Sequence, residues 1–168
     1  MYYKMKSITA VAAAILLLAA ACSQEPAERA DNPSADITTT AISYEDDTCA
    51  FTGETITVVR YGGEIEMADG TTHKFMSVEC AAGFYLGLED KSQIKSMMIV
   101  DFAHGKKLLP VEELVYLHSS LRPSPNGMNL TAVDASNEKM KSYIYDAYPG
   151  PYLQWDDVLE MVSEKWNL

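Results

Sequence analysis

The sequence has few cysteines and few basic residues, and the shortage of basic residues limits what the protein can bind. Only 13 of its 168 residues are Lys or Arg, against 24 Asp or Glu, so the net charge is −11. An acidic surface repels the phosphates of nucleic acids and the headgroups of anionic lipids. We therefore expect neither nucleic acid nor an anionic lipid surface among its partners.

The sequence also lacks the short motifs of common enzyme classes. It contains no Gly-x-Ser-x-Gly, no His-Glu-x-x-His and no glycine-rich phosphate loop. Its three histidines share no metal-binding spacing such as His-x-x-x-His. Ser, His and Asp all occur, but nothing in the sequence places them together. We therefore do not expect an enzyme.

One apolar run stands out, and it lies at the N-terminus. The segment from Met1 to Lys6 carries two positive charges and no acid, and after the apolar run Ala19-Ala20-Ala21 precede Cys22. The run is shorter than the roughly 20 apolar residues of a membrane-spanning helix. These features are typical of a secretory signal peptide, and a cysteine at its end is typical of lipoproteins. We expect cleavage after residue 21 and lipidation of Cys22, which would anchor the protein in a bilayer. The alternative is an uncleaved membrane anchor with a chance cysteine.

The segment after Cys22 is acidic and rich in Ala and Pro. Up to about Ser43 it contains no aromatic residue and no apolar periodicity, so it cannot bury enough surface to fold. We expect residues 22–47 to form a flexible tether with a reach of roughly 25 Å. The protein would then lie in the cell envelope, facing the periplasm or the surface. Ser23 favours the outer membrane in a cell with two membranes.

The remaining residues, 48–168, suit one domain in which strands and helices alternate. The apolar pattern predicts eight strands, at residues 56–61, 64–67, 71–76, 94–100, 106–109, 115–118, 128–133 and 152–154. Apolar residues at helical spacing predict three helices, at residues 77–88, 136–147 and 155–166. Asp69-Gly70 is a hairpin signal, and Ser77 is a helix N-cap. The order predicts an α+β domain of two β-β-α-β-like blocks, with mainly antiparallel sheet and packed helices. Asp101–Gly105 also resembles Asp146–Gly150, as an internal duplication would explain.

Once Cys22 is acylated, Cys49 and Cys80 are the remaining thiols. Two thiols in an exported protein can form a disulfide or share a soft metal ion. A disulfide would close a loop of about 30 residues and could add about 3–4 kcal/mol to the stability. Free buried thiols are a third alternative, and the sequence leaves all three open.

The order of these features resembles that of the NosL family, from about Cys49 to Val158. The first similar stretch is Asp47–Ile56, which resembles the family's Cys-x-x-Cys-x-Met, and Ser124–Gly127 stands at the place of its Pro-Met-Gly. The other similar stretches are Gly63–Glu66, Asp69-Gly70, Phe75 with Cys80, Val100-Asp101 and Gly150–Trp155. NosL-like proteins are copper-binding lipoproteins associated with the maturation of nitrous oxide reductase, and their fold is built from β-β-α-β units. The resemblance implies a role in metal handling or metalloenzyme assembly, with a metalloenzyme as the client.

Three positions depart from the family's ligand motifs. Thr52 stands at the second Cys, and Glu54 at the Met of the first motif. Asn126 stands at the Met of Pro-Met-Gly, with Met128 two positions later. Cu(I) prefers thiolate and thioether sulfur, whereas a hydroxyl and a carboxylate are hard donors.

The resemblance therefore implies a displaced Cu(I) site. Its thiolate donors would be Cys49 and Cys80, its thioether donor Met128, and its fourth candidate His104, which precedes Gly105 in a predicted turn. Most other methionines fall at strand ends or on apolar helix faces, where methionine fills the core. The alternative function is a metal-free interaction lipoprotein in which a Cys49–Cys80 disulfide ties the N-terminal strand to the first helix.

Overall fold

A computed structural model describes residues 42, 43 and 45–168. The expected signal peptide, Cys22 and most of the expected tether lie outside the described residues. The last tether residues that are described pack against the domain, because Ile42 is buried and Asp47 forms an ion pair with Lys74 at 2.8 Å. Within the described part of the chain, no helix has the length and apolar character needed to cross a bilayer.

The domain contains seven strands and three α-helices. The strands are β1 Gly63–Met67, β2 Thr72–Phe75, β3 Ile94–Val100, β4 Leu108–Pro110, β5 Leu114–His118, β6 Leu130–Asp134 and β7 Tyr152–Leu153. The helices are α1 Val78–Gly87, α2 Glu138–Ala147 and α3 Trp155–Trp166, and short 3-10 turns cover Val59–Tyr61, Lys91–Gln93 and Val111–Glu113.

The strands form two antiparallel sheets, which confirms the predicted α+β class. One sheet has the order β2-β1-β3-β4 and the other has the order β6-β5-β7. Thus β1-β2-α1-β3 and β5-β6-α2-β7 are two β-β-α-β units with the same strand order. The similar sequences do not mark this repeat, because Asp101–Gly105 follows β3 whereas Asp146–Gly150 precedes β7.

The strand predicted at residues 56–61 is wrong. Ile56 exchanges backbone hydrogen bonds with Glu45 and Asp47 beside an isolated bridge between Thr48 and Thr55, and the 3-10 turn Val59–Tyr61 follows. Ile56 is fully buried, but Val58 is exposed. Of the β-branched residues that suggested a strand, Ile56 enters the core and Val59 packs against it, but no neighbouring strand lies beside the rest of the segment.

A close approach of three segments positions the N-terminal loop on α1. The ring of Phe51 stacks on Trp166 of α3, with centroids 5.0 Å apart. A Cβ atom on Gly83 would lie 2.7 Å from Trp166 and 2.8 Å from Phe51. Because only glycine leaves room for both rings, Gly83 lets the loop that carries Cys49 sit against the helix that carries Cys80.

Candidate metal centre

Cys49 begins a tight turn that is fixed by backbone hydrogen bonds. Gly53 N–H donates to the carbonyl of Cys49, and Cys49 N–H donates to the carbonyl of Glu54, both at 2.8 Å. Gly53 has a φ of +76°, in the left-handed region that favours glycine. Ala50 N–H donates to the carbonyl of Lys74 on β2, also at 2.8 Å. These bonds hold the Cys49 sulfur in a defined place beside the first sheet.

Cys80 lies in the first turn of α1. The Ser77 hydroxyl oxygen caps this helix by accepting from Cys80 N–H at 3.2 Å, so the N-cap predicted from the sequence is confirmed. Cys80 is fully buried, like the adjoining Val78 and Ala81. Its thiol therefore projects into the core near the helix N-terminus rather than into solvent.

The two cysteines meet as free thiols in the interior. Both side chains are fully buried, and neither is in a disulfide. A hydrogen bond from Cys80 is the main cause that lowers the pKa of Cys49 to about 5, in spite of burial, with further donors on Met76 and Thr52. The same bond and burial raise the pKa of Cys80. The hydrogen bond therefore favours the thiolate at Cys49 and the thiol at Cys80.

Thr52 and Met76 complete the surroundings of the Cys49 sulfur. The backbone N–H of Met76 and both the backbone and the hydroxyl of Thr52 hydrogen-bond to this sulfur. The Thr52 hydroxyl also lies 3.6 Å from the thioether sulfur of Met76. Three sulfur-bearing side chains, Cys49, Cys80 and Met76, thus share one neighbourhood.

Sequence reasoning assigned Met76 to the core as a strand-end methionine and did not name it as a ligand. The residue is indeed buried. The one sequence feature that could have identified Met76 as a neighbour of Cys80 is its position directly before Ser77, the residue that caps the helix carrying Cys80. The contact with Thr52 joins residues 24 positions apart, and no local pattern encodes it.

The loop Ser124–Gly127 covers the N-terminus of α1. The Asn126 side-chain oxygen accepts from the Ser77 hydroxyl at 2.7 Å and from the Cys80 thiol at 3.1 Å, so Asn126 and Cys49 share the one Cys80 proton. The Ser124 hydroxyl donates to the buried carboxylate of Glu79 and accepts from Asn129 N–H at 2.9 Å. The second Glu79 oxygen is buried without a hydrogen-bond partner. The loop is therefore tied to the helix that presents Cys80.

The other two ligands implied by the resemblance have different surroundings. The His104 ring hydrogen-bonds to the carboxylate of Asp101 in the turn after β3, and its side chain is 49% exposed. Met128 is buried in the core and lines a cavity of about 300 Å³ with His118 and Met161. Among the described residues, neither His104 nor Met128 makes a hydrogen bond to Cys49 or Cys80.

The donor chemistry of the cysteine site suits a soft metal. In residues 42, 43 and 45–168, no three His, Cys, Asp or Glu side chains come together as metal ligands. The available set is instead two cysteine sulfurs and one thioether, which are the donors that select Cu(I). The lowered pKa of Cys49 favours metal binding, because ligands must lose their protons to coordinate.

Comparison with known proteins identifies a similar fold. No protein-family profile matches the chain. No curated protein matches its sequence either. Among solved structures, the copper chaperone NosL from Shewanella denitrificans is similar, with a TM-score of 0.58 and 16% sequence identity, over 70% of this chain and 92% of that chain. At this identity the similarity shows the fold alone, which is the NosL-like fold that the sequence resemblance implies.

Proposed function

We propose that the protein is a NosL-like accessory that binds Cu(I) as cargo through Cys49 and Cys80. The observation that carries this proposal is the contact between two buried free thiols, in which the hydrogen bond from Cys80 lowers the pKa of Cys49. The similarity to a copper chaperone supports it through the fold. Lipidation of Cys22, inferred from the sequence, would hold the protein at the cell envelope near a metalloenzyme client.

Met76 is the third ligand in this proposal, in place of Met128 or His104. Its backbone N–H already contacts the Cys49 sulfur, and its thioether lies beside Thr52, which contacts the same sulfur. Rotation of this flexible side chain would direct the thioether at an ion held by both cysteines, since methionine has three rotatable bonds. The hydroxyl of Thr52 is a hard donor and stays a neighbour of the ion rather than a ligand.

The site is suited to releasing its cargo as well as to binding it. The cysteines and Met76 would supply three soft donors, whereas Thr52 and Asn126 occupy the places of further sulfur ligands in the resembling family. With fewer sulfur donors, a thiolate of a client competes more easily for the ion. The loop Ser124–Gly127 borders Cys80 and has exposed residues, so it is the side from which a client would approach.

A second candidate function uses the same two residues in oxidised form. A Cys49–Cys80 disulfide would make the protein a metal-free interaction lipoprotein. The specific observation in its favour is that the two sulfurs already contact each other. The disulfide is absent from this structure, in which both cysteines are free. A thiol count on the protein isolated under denaturing, non-reducing conditions distinguishes the two forms.

The test is an anaerobic Cu(I) titration against a chelating probe. The protein would be the reduced full chain with Cys22→Ala, in which Cys49 and Cys80 are the only thiols. We expect one tightly bound Cu(I) per chain, with binding abolished by Cys49→Ser. Met76→Leu should weaken binding, whereas the matched Met128→Leu should not, since both replacements conserve volume in the core. No competition with the probe, or full competition by Cys49→Ser, would refute the proposal.

A further inference from the structure

We propose that Arg60 and Arg122 form a binding site for a small organic carboxylate, independent of the cysteine pair. The two residues line a cavity of about 370 Å³. Its other walls include Phe102 in the segment after β3, Ile144 of α2, and Tyr148. The volume lies at the lower end of the roughly 300–1,000 Å³ that is usual for small-molecule sites.

The two guanidinium groups meet on one aromatic ring. The guanidinium carbons of Arg60 and Arg122 each lie 4.8 Å from the centroid of Phe102. Arg122 also lies 5.3 Å from the ring centroid of Tyr148 and 5.7 Å from that of Tyr61. The chain carries a net charge of −11, yet two cations are concentrated at this cavity. Such a local concentration of positive charge attracts an anion.

No carboxylate in the described part of the chain forms an ion pair with Arg60 or Arg122. The ion pairs among the described residues use Lys74, Lys95, His104, Lys107 and Lys141 as cations, and none of them includes Arg60 or Arg122. The Arg122 guanidinium hydrogen-bonds to the Tyr61 hydroxyl, but its Nε is buried without a hydrogen-bond partner. Because Arg122 Nε has almost no accessible surface, a ligand in the cavity would bind through the Nη donors of the guanidinium.

Stacking on the aromatic rings does not explain this arrangement fully. A cation–π contact uses the face of the guanidinium and leaves its N–H donors, which point along the edge, still to be satisfied. A carboxylate fits that edge, because its two oxygens accept parallel hydrogen bonds from one guanidinium. Tyr143 at the cavity is 71% exposed, so the cavity has an apolar wall that is open to solvent.

The walls also define the rest of the ligand. Met140, Ile144 and Ala147 present an apolar strip of α2, and Phe102 and Tyr148 add ring faces. An inorganic anion would leave this strip uncovered, whereas a carboxylate attached to a flat or short apolar body would cover it. The inferred ligand class is therefore a monocarboxylate with an apolar body about the size of a single ring.

Benzoate is a suitable probe of this chemistry, measured by calorimetric titration of the full chain. We expect saturable binding of benzoate that is at least about tenfold weaker in Arg122→Gln and in Arg60→Gln, or a loss of about 1.4 kcal/mol each. Arg60 is exposed, so its replacement should leave the fold intact even if Arg122→Gln does not fold. Lys139→Gln is the matched control, since it removes one charge from the exposed side of α2, and binding should not change.

Four results would overturn the proposal. Equal binding of benzyl alcohol would show an apolar pocket without carboxylate recognition. Equal binding of inorganic phosphate would show a nonspecific response to anions. Undiminished benzoate binding by the Arg60→Gln variant, or no saturable binding by the unaltered chain, would show that the arginines only support the fold. Copper titration of Arg60→Gln should match that of the parent chain, so failure here is distinguishable from failure of the proposed copper function.

Discussion

The side-chain oxygen of Asn126 lies 3.1 Å from the sulfur of Cys80, although the two residues are 46 positions apart in the chain. Asn126 stands where the resembling family has the Met of Pro-Met-Gly. The resemblance therefore implies that a ligand position of that family lies at Cys80 while the ligand itself is replaced. Thr52 has the same relation to Cys49, since it stands at the second Cys of the first motif and hydrogen-bonds to the Cys49 sulfur.

Replacing Asn126 by Met should strengthen Cu(I) binding. A thioether would then lie beside Cys80 in place of an amide oxygen, and Cu(I) prefers the sulfur. We expect the affinity to rise at least about tenfold, and the unfolding free energy to fall by about 1 kcal/mol because the hydrogen bond from Ser77 is lost. Competition titration and chemical denaturation measure the two effects. Pro125→Met adds a thioether to the same loop and serves as the control, and an equal gain from it would contradict the assigned geometry.

Replacing Thr52 by Cys should restore a Cys-x-x-Cys turn. The Thr52 hydroxyl already contacts the Cys49 sulfur, so a thiol at this position would be a third thiolate donor to the same ion. The expected result is tighter Cu(I) binding and slower transfer of the ion to a competing chelator, which stopped-flow absorbance can follow. Thr48→Cys adds an exposed thiol to the same segment. If that control tightened binding as much, proximity to Cys49 would be irrelevant.

Copper affinity should depend on pH with a slope set by the shared proton. Above about pH 5 Cys49 is a thiolate and Cys80 keeps its proton, because the pKa of Cys80 is raised. Coordination by both sulfurs then releases one proton, so affinity should rise about tenfold per pH unit above pH 5 and more steeply below it. In Cys80→Ser the dependence of copper affinity on pH above pH 5 should vanish, because the thiol that releases its proton on coordination is gone. A flat profile for the parent protein would mean that Cys80 does not coordinate the ion.

Glu64 should make the protein less stable as pH rises. Burial raises the pKa of this carboxyl to about 7 from an ordinary value of 4.5, and both of its oxygens lack hydrogen-bond partners. The folded state thus holds more protons than the unfolded state between these values, so stability falls as pH increases through this window. Glu64→Gln should add about 1–3 kcal/mol at pH 8 and almost nothing at pH 4.

Thermal or chemical denaturation at the two pH values measures this difference. Glu66→Gln is the control on the same strand, because Glu66 is paired with Lys95 at 2.7 Å. Removing that pair should give no gain at pH 8. Equal effects of Glu64→Gln at both pH values would show that the buried carboxyl does not change its charge in this range.

The sequence predicted those parts of the fold that depend on local signals. Ser77 caps α1 as expected, and Asp69-Gly70 turns the hairpin, with Asp69 accepting from Thr71 N–H and Gly70 at a φ of +87°. Helix α3 was predictable because its apolar residues recur at helical spacing. Each of these features is decided by residues within one or two turns of each other.

The parts that the sequence did not predict depend on contacts between distant segments. The strand predicted at 56–61 failed because no neighbouring strand lies beside most of it. The sequence singled out Cys49 and Cys80 as the remaining thiols, but their hydrogen bond and the presence of Met76 and Asn126 follow from packing of the loop, β2 and α1. Spacing along the chain carries no information about such contacts.

The most direct test of the copper proposal is X-ray absorption spectroscopy of the Cu(I)-loaded reduced protein. Our account predicts three sulfur atoms bound to the copper, with one sulfur fewer in Met76→Leu and no tightly held copper in Cys49→Ser. A first shell of only nitrogen and oxygen atoms, or an unchanged sulfur shell in Cys49→Ser, would contradict it.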